Sequence, residues 1–264
     1  MTPQLMGIVN ATPDSFYDGD PQNNLSTLFA KCKDYVQNGA DILDIGGEST
    51  RPGATPVSEQ EELARVLPLI KKARLAFPKV QLSLDTFKIP VAKEGLQNGV
   101  SIINDVSGTP NPDMFHLVKQ YEAKIVIMHT RGNPQNMQSL TQYQDLLGEI
   151  KDFLSEKISQ ALSCGLTTEQ IIIDPGFGFA KTREQNYILL KHLSVFKELG
   201  VRVLAGLSRK TFLSQQCEKP PKRKAQTLAA NLVALQNGAD VLRVHDVKET
   251  RKIMNFWQEL QTTK

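Results

Sequence analysis

Cysteine is scarce in this chain. Cys32, Cys164 and Cys217 are odd in number and far apart in 264 residues. No C-x-x-C pair or Cys/His ligand spacing occurs, which argues against a disulfide framework or a structural zinc site and fits a reduced, cytoplasmic protein. An excess of charge of one sign is also missing. The net charge of +3 is too small to recruit nucleic acid, though it does not oppose an anionic substrate. No apolar run is long enough to span a bilayer, so no membrane partner is expected. Met1 leads almost at once into a strand pattern, with no basic segment before an apolar stretch, so no secretory leader is expected. Ser-His-Asp and Cys-His signatures are absent, and with them the usual signs of a protein nucleophile. No low-complexity linker divides the chain, which reads as one domain over residues 1–264.

What the chain does have is alternation. Short apolar runs at 5–9, 42–45, 80–84, 101–103, 124–128, 171–173, 201–205 and 241–244 are each followed by a helix-length segment. Eight such units are the count for a closed (β/α)₈ TIM barrel of class α/β. Asn-Gly-Ala-Asp occurs at 38–41 and again at 237–240, with Asn98-Gly99-Val100 as a related form. Each reads as a helix C-cap glycine feeding the next strand.

The runs end in polar residues. The sixth, Ile171-Ile172-Ile173, stops at Asp174-Pro175-Gly176. β-Branched residues suit a strand buried on both faces, and Pro-Gly ends it. Asp174 is then either a turn-capping carboxylate or a group at the functional face. The other runs favour the second reading. Asn10, Asp85, Asn104, His129, Lys210 and the pair Arg243 and His245 also stand at or just past strand ends. In a barrel all of them converge on one mouth. Asp85, Asn104, Asp174 and Lys210 offer the acceptors and donors to read a flat, polar heterocycle. Arg51, Arg243 and His245 are cationic or titrate, and suit a diphosphate; Thr50 adds a hydroxyl beside Arg51. Asn10 can face a metal or an anion, or simply form a turn. Phe177 and Phe179 suit either covering a ring or packing the core.

These segments, taken together, resemble dihydropteroate synthase over essentially the whole chain. The match rests on Met6-Gly7-Ile8-Val9-Asn10 with Thr12-Pro13-Asp14-Ser15-Phe16, Gly46 to Gly53, Asp85-Thr86, Asn104-Asp105-Val106-Ser107-Gly108, Met128-His129, Asp174 to Phe179, Ser208-Arg209-Lys210 and Arg243-Val244-His245-Asp246. The resemblance implies condensation of 6-hydroxymethyl-7,8-dihydropterin diphosphate with p-aminobenzoate, giving 7,8-dihydropteroate for folate biosynthesis. It implies a pterin pocket at Asp85, Asn104, Asp174 and Lys210. It also implies a diphosphate site with Mg²⁺ at Asn10, Arg243 and His245, with Asn10 on the metal and Thr50 and Arg51 beside the phosphates. For p-aminobenzoate it implies a site at Arg51, Pro52, Phe179, Lys210 and Thr211. Asp85, Lys210, Arg243 and His245 are the catalytic set so implied, and a homodimer is the implied assembly.

The sequence departs from the family at four places. Ala180 stands where a second glycine is usual, Thr211 where serine is, Thr130 where methionine is common and Asp20 where glycine is common. None removes a group the reaction needs. Two rivals are a methyltetrahydrofolate:corrinoid methyltransferase, which has no use for a diphosphate site, and a non-catalytic pterin-binding paralogue. Arg51, Arg243 and His245, with the lack of a corrinoid module, count against the first, and the intact set of Asn10, Arg51, Lys210, Arg243 and His245 against the second.

Overall fold

In a computed structural model of the chain, residues 2–11, 21–49, 54–214 and 219–263 are described, with only the backbone of 21–24, 220 and 221. The strands are β1 (Gln4–Asn10), β2 (Ile42–Gly46), β3 (Gln81–Asp85), β4 (Ile102–Asp105), β5 (Lys124–Met128), β6 (Ile171–Asp174), β7 (Arg202–Ala205) and β8 (Val241–Val244). All pair in parallel, in chain order, and β8 closes on β1. The helices are α1 (Pro21–Gln37), α2 (Glu59–Ala76), α3 (Ile89–Gln97), α4 (Pro112–Gln120), α5 (Leu146–Ser163), α6 (Arg183–Lys191), α7 (Lys224–Gln236) and α8 (Val247–Thr262). The eight expected runs are the eight strands, to within two residues at each end. Gly39, Gly99 and Gly238 end their helices at φ +90°, +92° and +91°, a left-handed turn that glycine makes without strain.

The period of two along each strand sorts its side chains between the helices and the barrel interior. The outward set, including Leu43, Ile45, Leu84, Ile103, Ile125, Ile127, Ile173 and Val203, packs against the helices in one continuous core. The inward set is layered. At the N-terminal end lie Gln4, Gln81 and Arg202, with Gln4 accepting from Arg202 and donating to Gln81. Above them Met6, Ile42, Ile102, Val126, Ile172, Leu204 and Val241 form a separate apolar cluster, every one fully buried. Two residues further along the same strands stand Asp44, Asn104, Asp174 and Arg243. A plug of seven apolar side chains thus carries a polar ring on its upper surface. Side chains filling such a barrel in layers are what the geometry of eight tilted strands requires.

Candidate active site

The polar ring is organised by Arg243. Its Nε donates to Asp44 Oδ2 at 2.6 Å and its Nη2 to Asp85 Oδ2 at 2.5 Å. Asp44 also accepts from Ser83 Oγ at 2.6 Å and Asn104 Nδ2 at 3.3 Å. Two carboxylates therefore share one guanidinium at the floor of the mouth. The sequence reading placed Arg243 on a diphosphate and gave Asp44 no role. The structure pairs Arg243 with Asp85 and with Asp44, which is fully buried. The signal for Asp44 was present: it follows Ile42 by two residues, as Asp174 follows Ile172, so both point inward.

Sharing one cation has an electrostatic cost. Burial pushes the Asp85 carboxyl up to about 7; Arg243 opposes this, and Asp44 reinforces it. Asp174 is raised by burial too, against the pull of Lys210, the Gly176 N–H and Arg243. Its Oδ1 accepts that N–H at 2.7 Å, so the turn after β6 caps the carboxylate as well as exposing it. Burial lowers the Lys210 ammonium to about 8, although Asp174 supports its charge. Lys210 donates to the Phe177 carbonyl and stands over the Phe179 ring, 4.3 Å from its centroid. The two phenylalanines part company. Phe177 is fully buried and stacks on Phe212, 6.3 Å between centroids, so it belongs to the core. Phe179 is partly exposed and lines a cavity of about 240 Å³ with Phe87, Val106, Thr130 and Met137.

The loop from β6 to α6 owes its shape to side chains from elsewhere. Lys181, almost fully buried, reaches back to the Gly176 and Phe179 carbonyls and to His129 Nδ1, each at 3.0 Å. Gln138 donates to the Gly178 carbonyl and Tyr143 to that of Ala180. A Cβ on Gly176 would lie 1.9 Å from the His129 carbonyl oxygen, so only glycine fits there. Ala180, buried at φ +48°, holds the conformation that the family's usual glycine would adopt more easily. The capping box of Thr182 and Gln185 then starts α6. His129 serves this packing: burial and Lys181 hold it neutral, lowering its pKa to about 2, and it meets Phe153 edge-on at 5.0 Å. Lys181 was not singled out from sequence, because its partner His129 is 52 residues away.

The ends of β7 and β8 clasp each other. Arg209, in the left-handed region at φ +59°, grips Asp246 with Nε at 3.1 Å and Nη2 at 2.8 Å. Ser208 Oγ lies 3.1 Å from the His245 backbone N and 2.9 Å from its Nδ1. Tyr35 from α1 donates to the His245 carbonyl at 2.7 Å. Burial, then Arg209, Lys31 and Arg243, lower the His245 imidazole to about 3. Without an anion beside it, burial and these cations favour the neutral form of His245, one of the two states the sequence left open.

Asn10 ends β1, level with Gly46, and is partly exposed at the mouth. No group of three His, Cys, Asp or Glu side chains able to hold a metal occurs among the described residues. Mg²⁺ keeps most of its water and takes one or two protein oxygens beside substrate phosphates. A single amide oxygen at the mouth fits that mode of binding. Asn10, Asp85, Asn104, Asp174, Lys210, Arg243 and His245 all lie at the C-terminal end of the barrel, and Thr211 is exposed just beyond Lys210. Thr50, Arg51 and Pro52, like Asp20, lie outside the described residues.

Residues 6–245 match the family described as pterin binding enzyme. The chain is 46% identical over 252 residues to the dihydropteroate synthase of Synechocystis, covering 94% of this chain and 87% of that one. It is 39% identical over 253 residues to the Escherichia coli dihydropteroate synthase, covering 96% and 89%. Among solved structures, Xanthomonas albilineans dihydropteroate synthase with 4-aminobenzoic acid superposes with a TM-score of 0.93 at 42% identity, over 100% of this chain and 94% of that one. The same organism's enzyme in complex with 7,8-dihydropteroate gives 0.89 at 39% identity, over 100% and 95%.

Proposed function

This chain belongs to the pterin-binding enzyme family, among the dihydropteroate synthases, and from that premise we propose that it joins 6-hydroxymethyl-7,8-dihydropterin diphosphate to p-aminobenzoate. The observation that carries the reading is the ring of Asp85, Asn104, Asp174 and Lys210 on a dry floor around Arg243. It offers carboxylates to a guanidine-like N–H edge and an ammonium to a ring carbonyl. The ligands of the solved relatives, 4-aminobenzoic acid and 7,8-dihydropteroate, agree with it.

In this reading the pterin lies on the ring. Asp174 accepts from its N–H edge, Asn104 supplies a donor and an acceptor, and Lys210 donates to a ring acceptor. The bond from the pterin methylene to the diphosphate oxygen breaks, and the electron pair leaves with the diphosphate. Asp85 and Asp174 stabilise the electron-poor methylene that remains. The amino nitrogen of p-aminobenzoate forms the new C–N bond and gives up a proton to the released diphosphate or to water. Arg243 and His245 face the departing oxygens, with Thr50 and Arg51 beside them. Asn10 would hold a Mg²⁺ ion, which would supply charge neutralisation at those oxygens. Phe179, Lys210 and Thr211, with Arg51 and Pro52, form the p-aminobenzoate side.

Two further parts of the proposal concern setting. A cytoplasmic location suits the free thiols of Cys32 and Cys164. A homodimer suits the exposed apolar side chains of Val233 on α7 and Phe256 and Leu260 on α8, helices that pack together. The test of function follows diphosphate and dihydropteroate in parallel, with and without p-aminobenzoate. Both appearing together, and only with p-aminobenzoate, is the expected result. Tight pterin binding without turnover would favour the non-catalytic paralogue.

A further inference from the structure

We propose that Ser208 fixes the tautomer of His245, so that the imidazole presents an Nε2–H to the mouth. The inference rests on the reading of His245 as a diphosphate-side residue, and it adds the residue that orients it. Ser208 Oγ sits 3.1 Å from the His245 backbone N–H and 2.9 Å from Nδ1. The backbone N–H is always a donor, so Oγ accepts from it. The hydroxyl hydrogen is then left to place, and the hydroxyl meets no other partner among the described residues. Ser208 is buried at 7% exposure, and an unpaired buried donor is costly. Pairing that hydrogen with the lone pair of Nδ1 satisfies it, and the ring proton then resides on Nε2. The opposite tautomer would leave the hydroxyl hydrogen unpaired and would turn an acceptor toward an anion.

The rest of the junction keeps the ring in place. Arg209 and Asp246, the next residues on each strand end, form a two-point ion pair, and Tyr35 holds the His245 carbonyl. The His245 backbone is thus tied on several sides, and the hydroxyl adjusts the one remaining variable, which nitrogen carries the proton. A hydrogen bond donated to the neutral ring also opposes its protonation, in keeping with an imidazole that is neutral before the anion arrives. Ser208 is a positioning residue in this account: it acts through His245 and need not touch substrate.

The test is two-bond ¹⁵N–¹H correlation spectroscopy of the imidazoles in the full chain, with His245→Gln used only to assign the signal. Wild type is expected to show a protonated Nε2 and a hydrogen-bonded, unprotonated Nδ1. Ser208→Ala should move the Nδ1 resonance toward that of a nitrogen without a hydrogen bond, while Ser208→Thr should retain it. A protonated Nδ1 in wild type, which needs no variant to observe, overturns the proposal. So does an unchanged Nδ1 in folded Ser208→Ala. Titration with inorganic diphosphate separates the two layers of the argument. A shift of the Nε2–H signal, with affinity weakened on the order of tenfold in Ser208→Ala, supports both. The expected tautomer with no response to diphosphate sinks the diphosphate reading and leaves the Ser208 assignment standing.

Discussion

Asp44→Asn is the substitution that most directly probes the floor of the mouth. The change keeps the shape and removes one negative charge. Asp44 and Asp85 accept from the same guanidinium at 2.6 and 2.5 Å, which puts their charges on the order of 5 Å apart. At that separation and an effective dielectric constant of about 20, Coulomb's law gives roughly 3 kcal/mol as an upper bound. With Arg243 between them, a shift of about one to two pH units is expected. Asp85 now stands at about 7; without its neighbour's charge it should ionise at lower pH. Pterin affinity, read by calorimetry between about pH 5 and 8.5, should then hold to more acidic conditions than in wild type. Stability carries the same signature. Because the folded pKa is raised, the native state binds a proton that the unfolded chain releases. Stability therefore falls as pH rises from the ordinary carboxylate range to about 7, and that slope should shrink in the variant. Arg243 keeps Asp85 as a partner, so the loss at neutral pH should stay below the roughly 3–5 kcal/mol of a fully broken buried pair. A folded variant whose acid limb stays where wild type has it would refute the reasoning and leave Asp44 as a strut.

Other outcomes follow from the same geometry. Arg243→Met removes the one cation between two carboxylates, so it should cost about 3–5 kcal/mol in denaturant unfolding and weaken free pterin as well as diphosphate; near-normal pterin binding would count against the shared ion pair. Gly176→Ala and Gly178→Ala should differ sharply, since the first meets a backbone carbonyl at 1.9 Å and the second only the flexible Lys210 side chain at 3.0 Å. Thermal unfolding should show a loss of more than about 3 kcal/mol for the first and about 1 kcal/mol for the second, with the second also raising the KM for p-aminobenzoate by displacing Lys210. Lys181→Met leaves the Phe179 carbonyl and His129 Nδ1 without their donor, while the Gly176 carbonyl keeps the Phe179 N–H; a stability loss of about 2–4 kcal/mol is expected, and a change within about 0.5 kcal/mol would show that those groups find other partners.

The barrel was legible because each strand carries a β-branched or aliphatic run, and the mouth was legible because those runs stop at polar residues. Asp44 escaped notice for the same reason. Ile-Leu-Asp-Ile-Gly reads as strand throughout, so its inward carboxylate lies inside the run rather than at its end, and the register with Ser83 on β3 sets it level with the others. Phe177 and Phe179 look alike on paper, and a glycine at φ +78° between them sends one into the core and leaves the other at the cavity. The charge of His245 was illegible in principle, since burial and the neighbouring Arg209 and Lys31 decide it. Long-range pairs such as Arg243 with Asp44 and Lys181 with His129 leave no local trace, because each partner alone has an ordinary solvated or capping role available.

The apolar plug beneath the polar ring also dictates traffic. A chamber sealed below by seven aliphatic and thioether side chains is a cul-de-sac. Whatever occupies its far end has to arrive before the visitor nearer the entrance, and has to wait for that visitor before leaving. On the proposed placement of the two substrates, the expected order is pterin first, with the joined product leaving pterin end last. A solution crowded with the second substrate should then block the door to the first, so initial-rate kinetics are expected to show inhibition by excess p-aminobenzoate, the trace of an apolar plug with no passage through it.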